Sequence, residues 1–316
     1  MTDWQVISPE ETTHSAIAPG GIWGWPYLFV RGKPNSQDES RIWLGTAVDN
    51  KMNSGSQWKW NMKWKAMMDG PDILTDVAPA VGAMWGIPVV VIRRKSDGAI
   101  FYSNYKMGQA TPWQQISGGT TDRALAATGA FLEGKGHLYV FKRTSSDNKI
   151  YYTHTSDSGD VKNWSPWVAI PGDFETTMAP AAVMMNTPSG FALVVFAKRK
   201  DTNRISYTFS LNGIKWNSWT DLSINQKFIE TVQHLAPTAA RYKDKIYVPY
   251  RPVNEPGDII QAAVFSEDTR KWNTTSLCSA ATSTSEKIAI GGYGDNLFIF
   301  HYSVSHGQVV VQRANV

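Results

Sequence analysis

The chain has 316 residues, 42% hydrophobic and 18% charged, with a formal net charge of +4. That apolar fraction excludes a disordered chain, and so mild a basic excess only weakly suggests an anionic partner. The single cysteine, Cys278, excludes an intrachain disulfide and any cysteine-based metal site.

The N-terminal stretch MTDWQVISPEE shows no basic region followed by an apolar run, so the protein is expected to be cytoplasmic or released without a classical signal peptide. No apolar run approaches the roughly 18 residues of a membrane span, and no membrane insertion is expected. From there the chain repeats. A first unit, about 15–75, runs IAPGG at Ala18, YLFVR, RIWL and WKAM at Trp64. A second, 76–123, runs VAPAV, VVVIRR, AIFY and WQQI at Trp113; a third, 124–177, runs LAATG, LYVFKR, KIYY and WVAI at Trp167. A fourth, 178–233, runs MAPAA, LVVFAK, RISY and WTDL at Trp219; a fifth, 234–286, runs LAPTA, IYVPYR, DIIQ and the weaker WNTT at Trp272. The sixth, 287–316, supplies IAIGG, LFIFHY and QVVV and then ends, and residues 1–14 hold the missing fourth run, WQVI at Trp4.

Each unit thus holds four short runs rich in β-branched and aromatic residues, separated by turns such as KSDG, SSDN and KDTN. The tryptophans fall 60, 49, 54, 52 and 53 residues apart, and 48 from Trp272 through the C-terminus to Trp4. Four antiparallel strands repeated six times predict an all-β, six-bladed β-propeller, a single domain whose ring is closed by the N-terminal strand joining the last blade.

Two repeated features bear on function. Trp164 and Trp216 each stand three residues before the repeat tryptophans Trp167 and Trp219. On a continuous strand that spacing puts the two rings on opposite faces, so Trp164 and Trp216 are expected to be exposed platforms and Trp167 and Trp219 structural wedges. A basic residue also closes the second run, aligned as Arg31, Arg94, Arg143, Lys198 and Arg251, with Tyr302 in the sixth unit. It reads either as an interblade ion pair or as a donor fork beside an aromatic platform. The second arrangement suits a sugar, whose C–H face stacks on an aromatic ring and whose hydroxyl rim accepts from arginine.

The unit APA…LYVFKR…SDNKIYYTHTSDSG…WSPWVAIPG resembles the tectonin-like and Photorhabdus-type fucose-binding propeller lectins, and the resemblance covers essentially the whole chain. It implies glycan or glycoconjugate partners, fucose or a related monosaccharide, and several weak sites at blade junctions acting together. Carried over, the ligand-binding set is Arg94, Tyr102, Trp113, Arg143, Tyr152, Trp164, Trp167, Lys198, Trp216 and Trp219. Blade one departs from the pattern by its insertion RGKPNSQDESR, and blade five by IIQA and WNTT, so not every junction is expected to bind.

Two alternatives stay open. SLNGIKW (Ser210–Trp216) and TSDSGDVKNW (Thr155–Trp164) look like degenerate copies of the Asp-box of sialidases, which points to a propeller glycoside hydrolase. No FRIP-type arginine motif accompanies them, and Asp97, Asp147 and Asp201 read as turn formers, so no catalytic residues are expected. A propeller serving only as a protein-interaction platform is the other. The six histidines show no metal-ligand spacing and no phosphate-cradling loop opens a helix, so neither metal nor cofactor is expected. The basic residues repeat once per unit and form no stripe, which disfavours nucleic acid. The oligomeric state is left open.

Overall fold

The structure is a computed structural model that describes residues 5–6, 18–22, 25–32, 41–47, 62–67, 73–106, 108–155, 161–232, 235–253, 259–278, 288–293, 296–303 and 308–314. These form six antiparallel blade sheets in a ring and a two-stranded hairpin, Ser223–Ile224 with Lys227–Phe228, after blade four, with no helix among the described residues. Blade two is Ala80–Met84, Ile87–Arg93, Ala99–Lys106 and Gln114–Thr120; blade three is Ala126–Leu132, Lys135–Arg143, Ile150–Thr155 and Val168–Ala169. Blade four is Ala181–Thr187, Gly190–Lys198, Ile205–Ser210 and Thr220–Asp221; blade five is Ala240–Tyr242, Lys245–Tyr250, Ile260–Ser266 and Lys271–Cys278. Blade one spans Ala18 to Ala66, and blade six combines Ala289–Tyr293, Asn296–Ser303 and Gln308–Arg313 with Gln5–Val6 from the other end of the chain.

The ring closes as the spacing predicts. Gln5 pairs with Val311 and Val6 with Val310, antiparallel. Trp4 itself lies outside the described residues. Without this strand the sixth sheet would end on an open edge beside the first blade, the arrangement that invites fraying and foreign pairing.

The second strand of each blade is flanked by strands within its sheet and by blades above and below. It is therefore apolar on both faces, and Val89–Ile92, Leu138–Phe141 and Leu193–Ala197 are all buried. The small-residue starts have a different cause. The inner strands converge on the ring axis, where Pro79, Ala80, Ala126, Pro180, Ala181 and Ala289 line a narrow central channel of about 90 Å³. A β-carbon added to Gly129 would run into the Ala83 carbonyl of the neighbouring blade.

A threonine before the inner strand, which periodicity alone does not single out, braces the opposite end of each strand. Thr75, Thr121, Thr176 and Thr231 are buried. Arg93 Nε donates to the Thr121 carbonyl at 2.7 Å and its guanidinium pairs with Asp76. Arg143 Nε donates to the Thr176 carbonyl at 3.1 Å, and its Nη1 to both Asp122 oxygens at 2.6 Å. Each arginine thus ties the linker entering its blade to the linker leaving it.

Two outcomes are expected here. Deleting residues 1–8 lowers the melting temperature sharply, as differential scanning calorimetry would show; a deletion mutant that melts like the full chain contradicts closure. Gly129→Ala overpacks the inner ring and costs ~1–3 kcal/mol, readable by urea denaturation.

Candidate functional site

The register places the tryptophans differently from the sequence spacing. Residues 161–167 are not strand; the fourth strand of blade three begins at Val168 and that of blade four at Thr220. The opposite-faces rule therefore does not apply, and Trp164 and Trp216 are half-buried instead of exposed. Trp164 lies edge-on to Tyr102 of the preceding blade, with ring centroids 5.3 Å apart. Trp216 packs in the same way on Tyr152 at 5.4 Å and Phe141 at 6.1 Å. Trp272 continues the series. It faces Phe265 as Trp216 faces Ser210, and it packs against Phe196 at 6.1 Å and Tyr207 at 5.8 Å of blade four. Trp272 is thus the counterpart of Trp164 and Trp216, whereas the sequence alignment set it beside Trp167 and Trp219.

The loop carrying Trp216 folds as the Asp-box resemblance implies for a turn. The Asn212 side-chain oxygen accepts from the backbone N–H of Ile214 at 3.0 Å and of Lys215 at 2.8 Å, and Ser210 Oγ donates to the Lys215 carbonyl at 2.7 Å. Gly213 has φ +74° and sits against the Tyr139 hydroxyl, so backbone and space both demand glycine. The other copy crosses residues 156–160, outside the described residues.

The remaining sequence-predicted residues lie elsewhere. Trp167 donates from its indole to the Ser117 carbonyl at 3.1 Å and carries the Lys142 ammonium 4.5 Å from its ring. Trp219 stacks on Phe174 at 3.9 Å. Trp113 packs on the core between blades one and two. Tyr102 donates to Gln114 at 2.7 Å or the Val161 carbonyl at 2.6 Å. Lys198 is buried, and burial pushes its ammonium below the usual lysine range. Arg94 is a register correction: Arg93 pairs with Ile100 as Arg143 pairs with Ile150, so Arg93 closes the strand. Arg94 enters the turn and holds Asp97 in an ion pair, which with the Ala99 N–H brings that carboxyl down to about 2. The Arg143 guanidinium is already engaged by Thr176, Asp122 and Asn148.

An open site appears at the next junction. Between blades four and five lies a cleft of about 300 Å³ walled by Met185, Val194, Phe196, Tyr207, Phe209, Leu211, Ile246, Phe265 and Trp272, with Arg270 and Thr187 also lining it. Its cause is visible in the register. Blade three carries Tyr139 and His154 at positions where blade four carries Val194 and Phe209. In blade three Tyr139 stacks on His154 at 5.0 Å and fills the junction beneath Gly213; Val194 is too small to do so. Beside the cleft, Arg270 Nη1 donates to the Asn186 carbonyl at 3.3 Å. The Asn186 N–H donates to Glu267 at 2.8 Å, and Glu267 is held bidentate by Arg241 at 2.8 and 3.0 Å. Asn186 Oδ1 is buried without a hydrogen-bond partner. A second opening of about 250 Å³, between blades one and two, is lined by Leu44, Lys65, Tyr105 and Gln109 among others. None of the cleft residues was in the sequence-derived set. The signal was present in the loss of the bulky residue at Val194, but it is readable only once the strands are in register.

No family model matches the chain, and no curated protein matches it. Solved structures do. AofleA from Arthrobotrys oligospora superposes with a TM-score of 0.64 at 13% identity, covering 100% of this chain and 90% of that one. The fucose-specific lectin from Aleuria aurantia gives 0.62 at 14%, covering 97% of both chains. An α-L-arabinanase from Penicillium chrysogenum, complexed with arabinobiose, gives 0.65 at 12%, covering 99% of this chain and 97% of that one. They share its fold. Lectins and glycoside hydrolases stand side by side among them at an identity that carries no function across.

The histidines of the filled junction generate a pH dependence. Burial holds the proton affinity of His137 and His154 below the usual 6.5; at His137 a hydrogen bond to the Leu132 backbone opposes this, with smaller effects from Lys135 (lowering) and Glu133 (raising), and at His154 the neighbouring His137 lowers it further. The unfolded chain therefore binds more protons as pH drops through 6.5, and stability is lost from there down to the depressed folded values. The melting temperature is expected to fall from pH 7 towards 5 more steeply in the parent than in His137→Gln/His154→Gln, by scanning calorimetry at matched ionic strength.

Proposed function

We propose that the protein is a carbohydrate-binding propeller, a lectin for fucose or a related monosaccharide, and that the cleft between blades four and five is its principal sugar site. The observation that carries this is an aromatic-walled opening with polar groups confined to one side. At about 300 Å³ it lies at the small end of ligand pockets, which suits one sugar ring. Trp272, Tyr207 and Phe209 supply faces for stacking C–H bonds. Val194, Met185 and Ile246 make an apolar floor that suits a methyl-bearing sugar such as fucose. Arg270 supplies a donor and the Thr187 hydroxyl a donor or acceptor for sugar hydroxyls. The fucose-specific Aleuria aurantia lectin among the structural neighbours supports the same sugar class.

The hydrolase reading, which the arabinanase neighbour keeps in view, needs two carboxyl groups on either side of the scissile bond. Among the described residues, those lining the cleft include no aspartate or glutamate, and nearby Glu267 is tied to Arg241 and Asn186. In this reading Tyr102 with Trp164 and Tyr152 with Trp216 seal their junctions, and sugar contact passes to the cleft.

Calorimetric titration with monosaccharides avoids avidity and reads the site directly. Val194→Tyr, which restores the bulk found at Tyr139, and Arg270→Ala are each expected to weaken L-fucose binding roughly tenfold or more, one interaction of ~1.4 kcal/mol, with the melting temperature held. Unchanged binding in both variants places the sugar elsewhere. Turnover of a fluorogenic fucoside or arabinoside that one carboxylate substitution abolishes replaces the lectin reading with catalysis.

A further inference from the structure

Blade strands alternate in direction, so the turns joining first to second strands and the loops joining third to fourth strands emerge at one end of the ring. That end carries the larger share of exposed apolar side chains. Among the described residues, Trp85 at 58%, Phe131 at 39%, Leu211 at 49% and Ile214 at 64% lie here, against Phe228 and Val253 at the other end and Val168 on an outer strand. Trp85, Phe131 and Phe191 form a continuous row across blades two to four, with ring centroids 6.2 and 6.1 Å apart. Leu211 and Ile214 stand on the blade-four loop whose Gly213 sits against Tyr139 of blade three.

Trp85 occupies a costly place. It has φ +53° in a tight turn, a conformation that bulky residues avoid and that asparagine or glycine adopts readily. The matching turns of blades three and five put charged residues there, Glu133 at φ +50° and Lys243 at φ +56°. Its ring leans on Phe131 and over Gly136 of the next blade and still leaves more than half of its surface to solvent, so the strained tip presents a large apolar face outward.

The charge at this end is complementary to an anion. Lys106, Lys135, Lys215, Lys243, Arg270 and Lys271 are exposed here, against Glu133, Asp244 and Asp268. Among the described residues, Lys106, Lys135, Lys215 and Lys271 enter no ion pair; at the other end Arg94–Asp97, Lys200–Glu175 and Arg204–Glu230 neutralise one another, with exposed Lys95 and Lys227 outside those pairs. A row of aromatic rings and aliphatic tips set among exposed lysines matches the way interfacial residues enter a headgroup layer while cations meet anionic lipid.

We propose that this end of the propeller docks on an anionic lipid surface, with Trp85, Phe131, Leu211 and Ile214 entering the headgroup region. The inference does not rest on the sugar reading, although the cleft between blades four and five opens towards the same end, at Thr187, Leu211 and Arg270.

Glycan-free synthetic vesicles test it without involving the sugar site. The intact protein is expected to co-sediment with phosphatidylcholine vesicles containing phosphatidylserine and not with phosphatidylcholine alone. Lys135→Glu and Lys215→Glu should each weaken binding about fivefold or more at low salt. Trp85→Asn combined with Ile214→Ser should weaken it roughly tenfold while leaving the melting temperature and L-fucose titration unchanged, since asparagine fits the turn. Absence of binding, equal binding to both vesicle types, or binding unaffected by the double variant overturns the proposal. So does a concentration-dependent dimer in sedimentation equilibrium that the double variant abolishes, which would assign the face to self-association.

Discussion

The structure depends on one contact made repeatedly, the edge of a tryptophan set against an aromatic ring of the blade before it. Trp164 meets Tyr102, Trp216 meets Tyr152, and Trp272 meets Phe196. A four-stranded blade cannot bury both faces by itself, and these rings seal the widening outer part of the wedge between two twisted sheets. Each pair contributes on the order of 0.5–1.5 kcal/mol beyond the area it buries. The larger effect is to fix the angle between successive blades, on which ring closure through Gln5–Val6 depends.

The same contact explains how one junction is open while its neighbour is shut. The tryptophan wedge is present in both. What differs lies one layer deeper, where Tyr139 and His154 in blade three give way to Val194 and Phe209 in blade four. A repeat fold can thus change a junction from core to cleft by a substitution at a position that the wedge does not use. The half-buried histidines are a cost of the filled version, since His137 Nδ1 is enclosed without a hydrogen-bond partner and both rings are held away from their charged form. The open version exchanges that buried polarity for an apolar wall, and the polar groups move to the side formed by Arg270, Asn186 and Glu267.

The two ends of the ring divide the remaining work. At one, buried threonines and the arginines Arg93 and Arg143 tie consecutive linkers together, so charge is consumed internally. At the other, short turns leave their tips free of bracing duty, and there Trp85 and Phe131 stand exposed at the same end as Lys135 and Lys215, which enter no ion pair. Stability and surface chemistry are thereby separated along the ring axis.

By itself the sequence determined the architecture. The period of about 50 residues, the apolar second run and the fourth-run pattern WQVI at Trp4 pointed to six blades and a ring closed by the N-terminal strand, because each is a property of local pattern. It also identified Asp97 and Asp147 as turn residues, and each accepts a backbone N–H two residues on. Tertiary structure decided what strand register decides. Arg93 and not Arg94 closes its strand, Trp272 belongs with Trp164 and Trp216, and the tryptophans before the fourth strand are wedges because their segment is loop, so that alternation does not govern where they point. The cleft was illegible for the same reason. An opening between two sheets is set by which side chains of different blades come opposite one another, and no spacing along a single chain records the volume that Val194 leaves empty.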